Sequence, residues 1–456
     1  MTIPSCFKAY DIRGRVPVDL DSELTRRIGR AFAEVVDPGI VVVGHDARLE
    51  SPELADALIT GLTQGGADVI DVGLCATEEV YFQTAHREVD GVGGGIMVTA
   101  SHNPKGYNGM KLVRKGARPI SGDSGLKAIG AKVLGAEQPP RRIGKATRDT
   151  DKSAYVAHLM SFVAGEDLKP LRILADAGNG VAGPIVEQLA KHLPFAIELA
   201  RGTPDGNFPD GVPNPLLPEM RAATSQAVLR HEADFGVAWD GDADRCFLYD
   251  NQGNFIEGYY LVGLLAEAML LRHPGAKIIH DPRLEWNTIA EIEANGGIAV
   301  RCKTGHAFIK ERMRAEDAVY GGEMSGHHYF KDFAYCDTGM IPWLLIAMLI
   351  SRSGKSLADL VAEKMAAFPC SGEINFETDA AAATERILAH YLPMNPKRDD
   401  TDGVGLDFGD WRFNLRQSNT EPLLRLNIET RGDVDAVRYH LAAIRALIEA
   451  APTAET

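Results

Sequence analysis

Asp234-Phe235-Gly236-Val237-Ala238-Trp239-Asp240-Gly241-Asp242-Ala243-Asp244-Arg245 runs an apolar stretch straight into a loop of three carboxylates. Apolar runs this short, closed by polar residues or glycine, read as buried strands of a mostly parallel sheet. The pattern recurs. Ile40–Val43 precedes Gly44 and a helix-like segment from Ser51 to Leu62. Ala67–Val72 and Gly95–Val98 follow. Leu171–Ala175 precedes Gly178-Asn179-Gly180 and a helix near 182–192, and Lys277–His280 repeats the strand signal. Alternating strands and helices predict an α/β fold, and such sheets bind ligands in the loops beyond the strand C-terminal ends.

Outward from these units the organisation changes. Residues 137–152 are rich in Pro, Arg and Asp and lack apolar periodicity, so a domain is expected to end there. Asp250-Asn251-Gln252-Gly253 reads as a turn between units, and 395–403 as a polar loop within the last one. Strand-like Trp411–Leu415 and Leu423–Glu429 flank a loop, and a helix closes the chain from about 433, which suggests a small α+β domain. The expected domains are 1–147, 148–250, 251–367 and 368–456.

The chain has 456 residues, 45% apolar and 24% charged, an ordinary globular composition. Its net charge of −15 argues against nucleic acid or anionic lipid as a partner. The six cysteines, at 6, 75, 246, 302, 336 and 370, are widely spaced and form no C-x-x-C pair. They read as free thiols in a reducing compartment. The N-terminus lacks the features of a signal peptide, and the most apolar stretch, 340–350, is too short to span a bilayer. A cytoplasmic protein is the expectation.

Six segments carry chemistry. In Thr99-Ala100-Ser101-His102-Asn103-Pro104, followed by Gly106-Tyr107-Asn108-Gly109-Met110-Lys111, a strand delivers a serine between small residues. Such a hydroxyl can carry a phosphoryl group covalently, and His102 and Lys111 can hold an anion beside it. The competing reading is a plain turn. Asp240, Asp242 and Asp244, spaced i, i+2, i+4, can converge on one hard cation. An EF-hand fails, because its sixth and twelfth positions are Arg245 and Asn251 here. A phosphatase nucleophile loop fails at Ala243, and an acidic turn is the remaining alternative. Anion grips are offered by Lys8-Ala9-Tyr10-Asp11-Ile12-Arg13-Gly14 and by Arg416-Gln417-Ser418-Asn419-Thr420-Glu421-Pro422. Gly321-Gly322-Glu323-Met324-Ser325-Gly326-His327 could grip sugar hydroxyls, and Lys303-Thr304-Gly305-His306 offers a proton-transfer histidine.

Together and in this order, these segments resemble the α-D-phosphohexomutase family over nearly the whole chain. Asp281-Pro282-Arg283 and Tyr329–Thr338 are similar to its bacterial phosphomannomutase and phosphomannomutase/phosphoglucomutase branch. The resemblance implies three mixed α/β domains and a C-terminal α+β domain around a central cleft. It implies a phosphoserine at Ser101, and Mg²⁺ held by Asp240, Asp242, Asp244 and a phosphate oxygen of that serine. Arg13 and Arg245 would stabilise the moving phosphoryl group, with His102 beside Ser101 and with Lys111 and His306 as proton-transfer candidates. Glu323 and Ser325 would contact the sugar's O3 and O4, and Gly305 and His327 would also bind substrate. Arg416, Ser418, Asn419 and Thr420 would hold the unreacting phosphate, and Tyr10 would be a further substrate contact. Position 283 is Arg where some relatives carry Lys. An arginine hardly ever loses its proton, so Arg283 is an electrostatic contact rather than a base. The implied activity is reversible conversion of mannose 6-phosphate and mannose 1-phosphate through a hexose 1,6-bisphosphate, which would also serve as activator. A glucose phosphate is the nearest alternative substrate. A phosphoglucosamine mutase, a non-catalytic phosphosugar-binding protein and a magnesium-dependent phosphatase are weaker alternatives. The expected state is a monomer or weak homodimer.

Overall fold

The computed structural model describes residues 3–137, 139, 142–417 and 423–450. The chain divides into two compact units, Met1–Phe255 with His327–Gly354, and Ile256–Gly326 with Lys355–Thr456.

The first unit contains two mixed sheets. In one, the strands Ile12–Arg15, Tyr107–Arg114, Val92–Val98, Ile40–His45, Asp68–Leu74 and Ala146–Arg148 lie in that order. Ile40–His45 pairs parallel with Val92–Val98 and Asp68–Leu74, while Tyr107–Arg114 runs antiparallel to Val92–Val98. Side chains alternate across a strand. Val41, Val43, Ile96 and Val98 therefore enter one core with Phe32 and Leu58. Val42 and Met97 enter another with Val72 and Val80. Burial on both faces is why these strands read as unbroken apolar runs. In the second sheet Cys246–Tyr249, Phe235–Trp239, Arg172–Asp176 and Ala196–Ala200 lie in that order. Phe235–Trp239 is buried throughout.

The apolar stretch near 340–350 is the helix Met340–Ser353, buried on every side from Met340 to Ser351, as a helix without a polar face must be. No helix among the described residues is long and apolar enough to cross a membrane.

The second unit holds the parallel strands Ile298–Arg301, Lys277–His280 and Tyr320–Gly322. It also holds an antiparallel sheet ordered Cys370–Glu377, Leu423–Thr430, Trp411–Gln417, Val404–Asp407, Lys397–Asp399. Helices Ala380–Tyr391 and Val434–Glu449 supply Ile387, Ile444 and Ile448 to that sheet's core.

Two stretches expected to be irregular contain strands. Ala146–Arg148 continues the first sheet beside Asp68–Leu74, and Lys397–Asp399, within the expected loop 395–403, pairs with Val404–Asp407. Both are short, polar sheet edges, which have no apolar alternation to betray them.

Candidate active site

Ser101 follows the strand Val92–Val98 by three residues. It is buried, and its φ of +49° lies in the left-handed region, which costs a residue with a Cβ about 1–2 kcal/mol. Its Oγ donates to Asp240 Oδ2 at 2.7 Å and lies 3.0 Å from His102 Nδ1. The nucleophile and acidic loops meet through backbone as well. A Cβ at Gly241 would stand 2.6 Å from the Ser101 carbonyl oxygen, so only glycine lets the loops approach this closely.

Asp240, Asp242 and Asp244 are buried, and one oxygen from each lies within 4.8 Å of the other two. The Oδ1 atoms of all three are buried without a hydrogen-bond partner. Burying a bare carboxylate oxygen is costly. Three converging aspartates, each with a bare buried oxygen, suit a hard divalent cation, and an all-oxygen donor set favours magnesium over softer metals. The outer oxygens are engaged. Lys111 Nζ donates to Asp242 Oδ2 at 2.7 Å and also to Asp244, and Thr77 Oγ1 donates to Asp242 Oδ2 at 2.6 Å. Burial pushes Asp244 up to about 6, reinforced by the charge of Asp242. Burial also works against ionised Asp242, yet Lys111 outweighs it and holds Asp242 below the usual carboxylate range.

Two arginines flank the serine. Arg245 directs Nε and Nη2 at Asp240 Oδ2, at 2.8 and 2.7 Å, and touches His102 Nδ1. The positive charge of Arg245 holds His102 well below the ordinary imidazole range, so the ring is neutral. Arg13 donates to the Ala100 carbonyl at 2.8 Å and to Asn103, and Asp11 accepts from it at 3.0 Å. Tyr10, in the preceding turn, is half-buried.

The second unit gathers a different set. Arg283, buried, lies 2.8 Å from Asp281, 3.2 Å from Glu373 and 3.8 Å from Glu323. Burial opposes its charge, and these carboxylates more than restore it, so Arg283 stays protonated. Glu323 accepts from the Gly305 N–H at 3.3 Å, and His306 begins the helix His306–Glu316. Ser325 is half-buried. Arg416 lies 3.8 Å from Asp402, which also accepts from the Thr304 N–H at 3.2 Å. Ser418, Asn419 and Thr420 lie outside the described residues.

The segment Gly321–His327 is divided. Glu323 stands with Gly305 and Arg283, whereas His327 stands with Asp244 and Asp337 of the first unit, each offering a ligand atom within 4.8 Å of the other two. Sequence reasoning missed Asp46, Arg48, Thr77 and Asp337 in the first unit and Glu373 and Arg425 in the second. For Asp46 and Arg48 a signal existed: polar residues immediately after the buried strand Ile40–His45.

Residues 4–139, 153–253 and 257–368 match α/β/α domains I, II and III of phosphoglucomutase/phosphomannomutase, and 373–447 match its C-terminal domain. A protein of Xanthomonas campestris pv. campestris named phosphohexose mutases is 62% identical over 95% of this chain and 96% of its own. A phosphomannomutase of Salmonella typhimurium is 54% identical over 98% of this chain and 100% of its own. Among solved structures, a phosphoglucomutase/phosphomannomutase family protein of Burkholderia thailandensis superimposes with a TM-score of 0.87 at 32% identity, covering 100% of this chain and 99% of that one. The likeness spans every domain and reaches well beyond shared fold. The chain therefore belongs to the phosphoglucomutase/phosphomannomutase family and is an enzyme of the intramolecular phosphotransfer class.

Proposed function

We propose that this enzyme interconverts mannose 6-phosphate and mannose 1-phosphate, with Ser101 as the phosphoryl carrier. The observation that supports this most is the pairing of Ser101 Oγ with Asp240 at 2.7 Å beside three bare, buried aspartate oxygens. Asp240, Asp242 and Asp244 would hold Mg²⁺, which neutralises charge on the transferring phosphoryl group.

In the first half-reaction the sugar's free hydroxyl oxygen attacks phosphorus on phospho-Ser101. A new P–O bond forms to the sugar, the P–Oγ bond breaks, and Ser101 leaves with the bonding electrons and regains a proton. The product is mannose 1,6-bisphosphate. After that intermediate reverses, Ser101 Oγ attacks the other phosphate and the carrier is restored. Ser101 must then lose its proton, and neutral His102 Nδ1 and Asp240 Oδ2 are the acceptors within reach. Arg13 and Arg245 face the charge that gathers on the moving group, and such positioning and neutralisation are most of what phosphoryl transfer requires. Lys111 and His306 are the candidates for moving the sugar hydroxyl's proton. Arg283, Arg416, Ser418, Asn419 and Thr420 take the unreacting phosphate, with Tyr10 and Gly305 as further contacts. Glu323, Ser325 and His327 take the sugar.

A second reading, activity on glucose phosphates as well, is favoured by the broader name of the 62% identical relative. Glucose and mannose differ at C2, whereas the hydroxyls assigned to Glu323 and Ser325 are O3 and O4. The test is a paired assay with Mg²⁺ and a trace of hexose 1,6-bisphosphate, following mannose 1-phosphate and glucose 1-phosphate separately. A strong mannose preference supports the first reading and equal kcat/KM the second. Normal turnover by Ser101→Ala would sink both.

A further inference from the structure

Arg48 is buried and directs both terminal nitrogens into the nucleophile loop. Its Nη2 donates to the carbonyls of Ser101 at 2.9 Å and Asn103 at 2.5 Å. Its Nη1 donates to those of Pro104 and Tyr107, both at 3.0 Å. One guanidinium thus donates to four carbonyls, three in the loop and one at Tyr107, the first residue of the strand Tyr107–Arg114.

The other end of Ser101 belongs to the same network. The Ser101 N–H donates to Thr99 Oγ1 at 2.9 Å, and Thr99 Oγ1 donates to Asp46 Oδ2 at 2.7 Å. Asp46 closes the circuit by accepting from the Arg48 N–H at 3.0 Å, with Arg48 Nε 3.5 Å from its Oδ2. Ser51 Oγ fixes Asp46 further at 2.5 Å. The ring is therefore Ser101, Thr99, Asp46, Arg48 and back to Ser101. It grips the N–H and the C=O on either side of one Cα, which are the groups that define φ and ψ there.

The fold explains why these residues meet. Ile40–His45 and Val92–Val98 are parallel neighbours with His45 opposite Val98, so the loops that follow them emerge side by side. The Ser101 carbonyl held by Arg48 is also the atom against which Gly241 of the acidic loop packs.

We propose that Arg48, held by Asp46, is the positioning residue that keeps Ser101 in its left-handed conformation and so sets the nucleophile against Asp240. A glycine would adopt that backbone without strain, but the carrier needs a hydroxyl, so the surroundings must impose the conformation. Lysine cannot replace the fork, because its three donors sit on one nitrogen and cannot span four carbonyls. The inference rests on the proposed role of Ser101.

The test compares wild type with Arg48→Lys and Thr99→Val, the latter removing one link of the ring at almost constant volume. Phosphoryl transfer from hexose 1,6-bisphosphate to dephosphorylated protein is followed in single turnover by intact mass, beside steady-state kinetics and amide exchange over residues 101–107. In Arg48→Lys, transfer and kcat are expected to fall about 100-fold with KM within about threefold, because displacement of a reacting atom by about 1 Å has that scale of effect. Thr99→Val is expected to lose about tenfold, and loop amides should exchange faster in both. Transfer rates within threefold of wild type in both variants would overturn the proposal, as would a change confined to KM. Should Arg48→Lys fold poorly, Thr99→Val decides alone. A wild type that takes up no phosphoryl group at Ser101 would overturn the carrier reading instead, and unchanged amide exchange in both variants would refute the clamp whatever the chemistry.

Discussion

Arg416 and Arg425 stand directly opposite each other on the antiparallel strands Trp411–Gln417 and Leu423–Thr430. Like charges in that register repel. Glu373 answers both, with Oε2 3.9 Å from Arg416 and Oε1 3.5 Å from Arg425, and Oε2 is 3.2 Å from Arg283 as well. Asp281 and Glu323 also lie beside Arg283, and Asp402 beside Arg416, but Glu373 is the one carboxylate shared by all three guanidiniums.

Glu373→Gln removes the shared carboxylate, so it is expected to lower the Tm of the unliganded protein by a few degrees and to increase the Tm rise produced by mannose 6-phosphate, whose phosphate can then replace the lost counter-charge. Thermal melts with and without the sugar phosphate check this. A variant with an unchanged baseline and an unchanged ligand response would show that Glu373 does not balance the arginines.

The conformation of Ser101 separates activity from stability. Ser101→Ala and Ser101→Gly both lack the hydroxyl, so both should be inactive and take up no phosphoryl group. They differ in backbone. At φ +49° alanine keeps the left-handed strain and glycine does not. Ser101→Gly should be the more stable of the two by about 1 kcal/mol, measured by urea unfolding. Equal stabilities would mean that the loop relaxes once the side chain is gone.

How much of this site was legible in the sequence follows from where each residue sits. Ser101 and the three aspartates stand immediately after unbroken apolar runs, Gly95–Val98 and Phe235–Trp239, where polar residues have nothing structural to do. The strand-to-loop switch marked them and the α/β fold together. Arg48 follows an equally clear run, yet its work is done on backbone carbonyls, and carbonyls have no sequence signature. Glu373 and Arg425 lie within strands whose alternation places charges on one face, so they read as ordinary solvent-facing positions. Asp337 meets His327 through the pairing of His328–Phe330 with Cys336–Asp337, a short hairpin with no apolar alternation.

The aspartate triad predicts a metal response. With the Oδ1 atoms bare, bound Mg²⁺ stabilises the native state by mass action, about 2.7 kcal/mol when its concentration is one hundred times Kd. Wild-type Tm should rise with added Mg²⁺ and return with chelator. Asp244→Asn, with one charge fewer for the cation, should require a concentration at least tenfold higher for the same rise. Identical titration curves for the two proteins would exclude Asp244 as a ligand.

Glu78 gives the unit that carries Ser101 a pH dependence of its own. It is fully buried, and its Oε2 accepts from the Gly339 and Met340 N–H groups at 2.6 and 3.2 Å, at the start of the helix Met340–Ser353. Tyr155 donates to its Oε1. These bonds favour the carboxylate, but burial outweighs them and pushes Glu78 up to about 8. The folded protein therefore keeps this proton between about pH 4.5 and 8, where the unfolded chain has released it. The contribution is fully present below the unfolded value and is lost as pH rises, at up to about 1.4 kcal/mol per pH unit, until the folded group ionises. Glu78→Gln retains an oxygen for the two N–H donors and has no proton to lose. Its stability relative to wild type should climb between pH 5 and 8 and level off above 8. Urea midpoints of both proteins across that range test this, because the other titrating groups cancel in the difference. A constant difference would mean that Glu78 is already ionised in the folded protein, with the helix N–H groups and Tyr155 prevailing over burial.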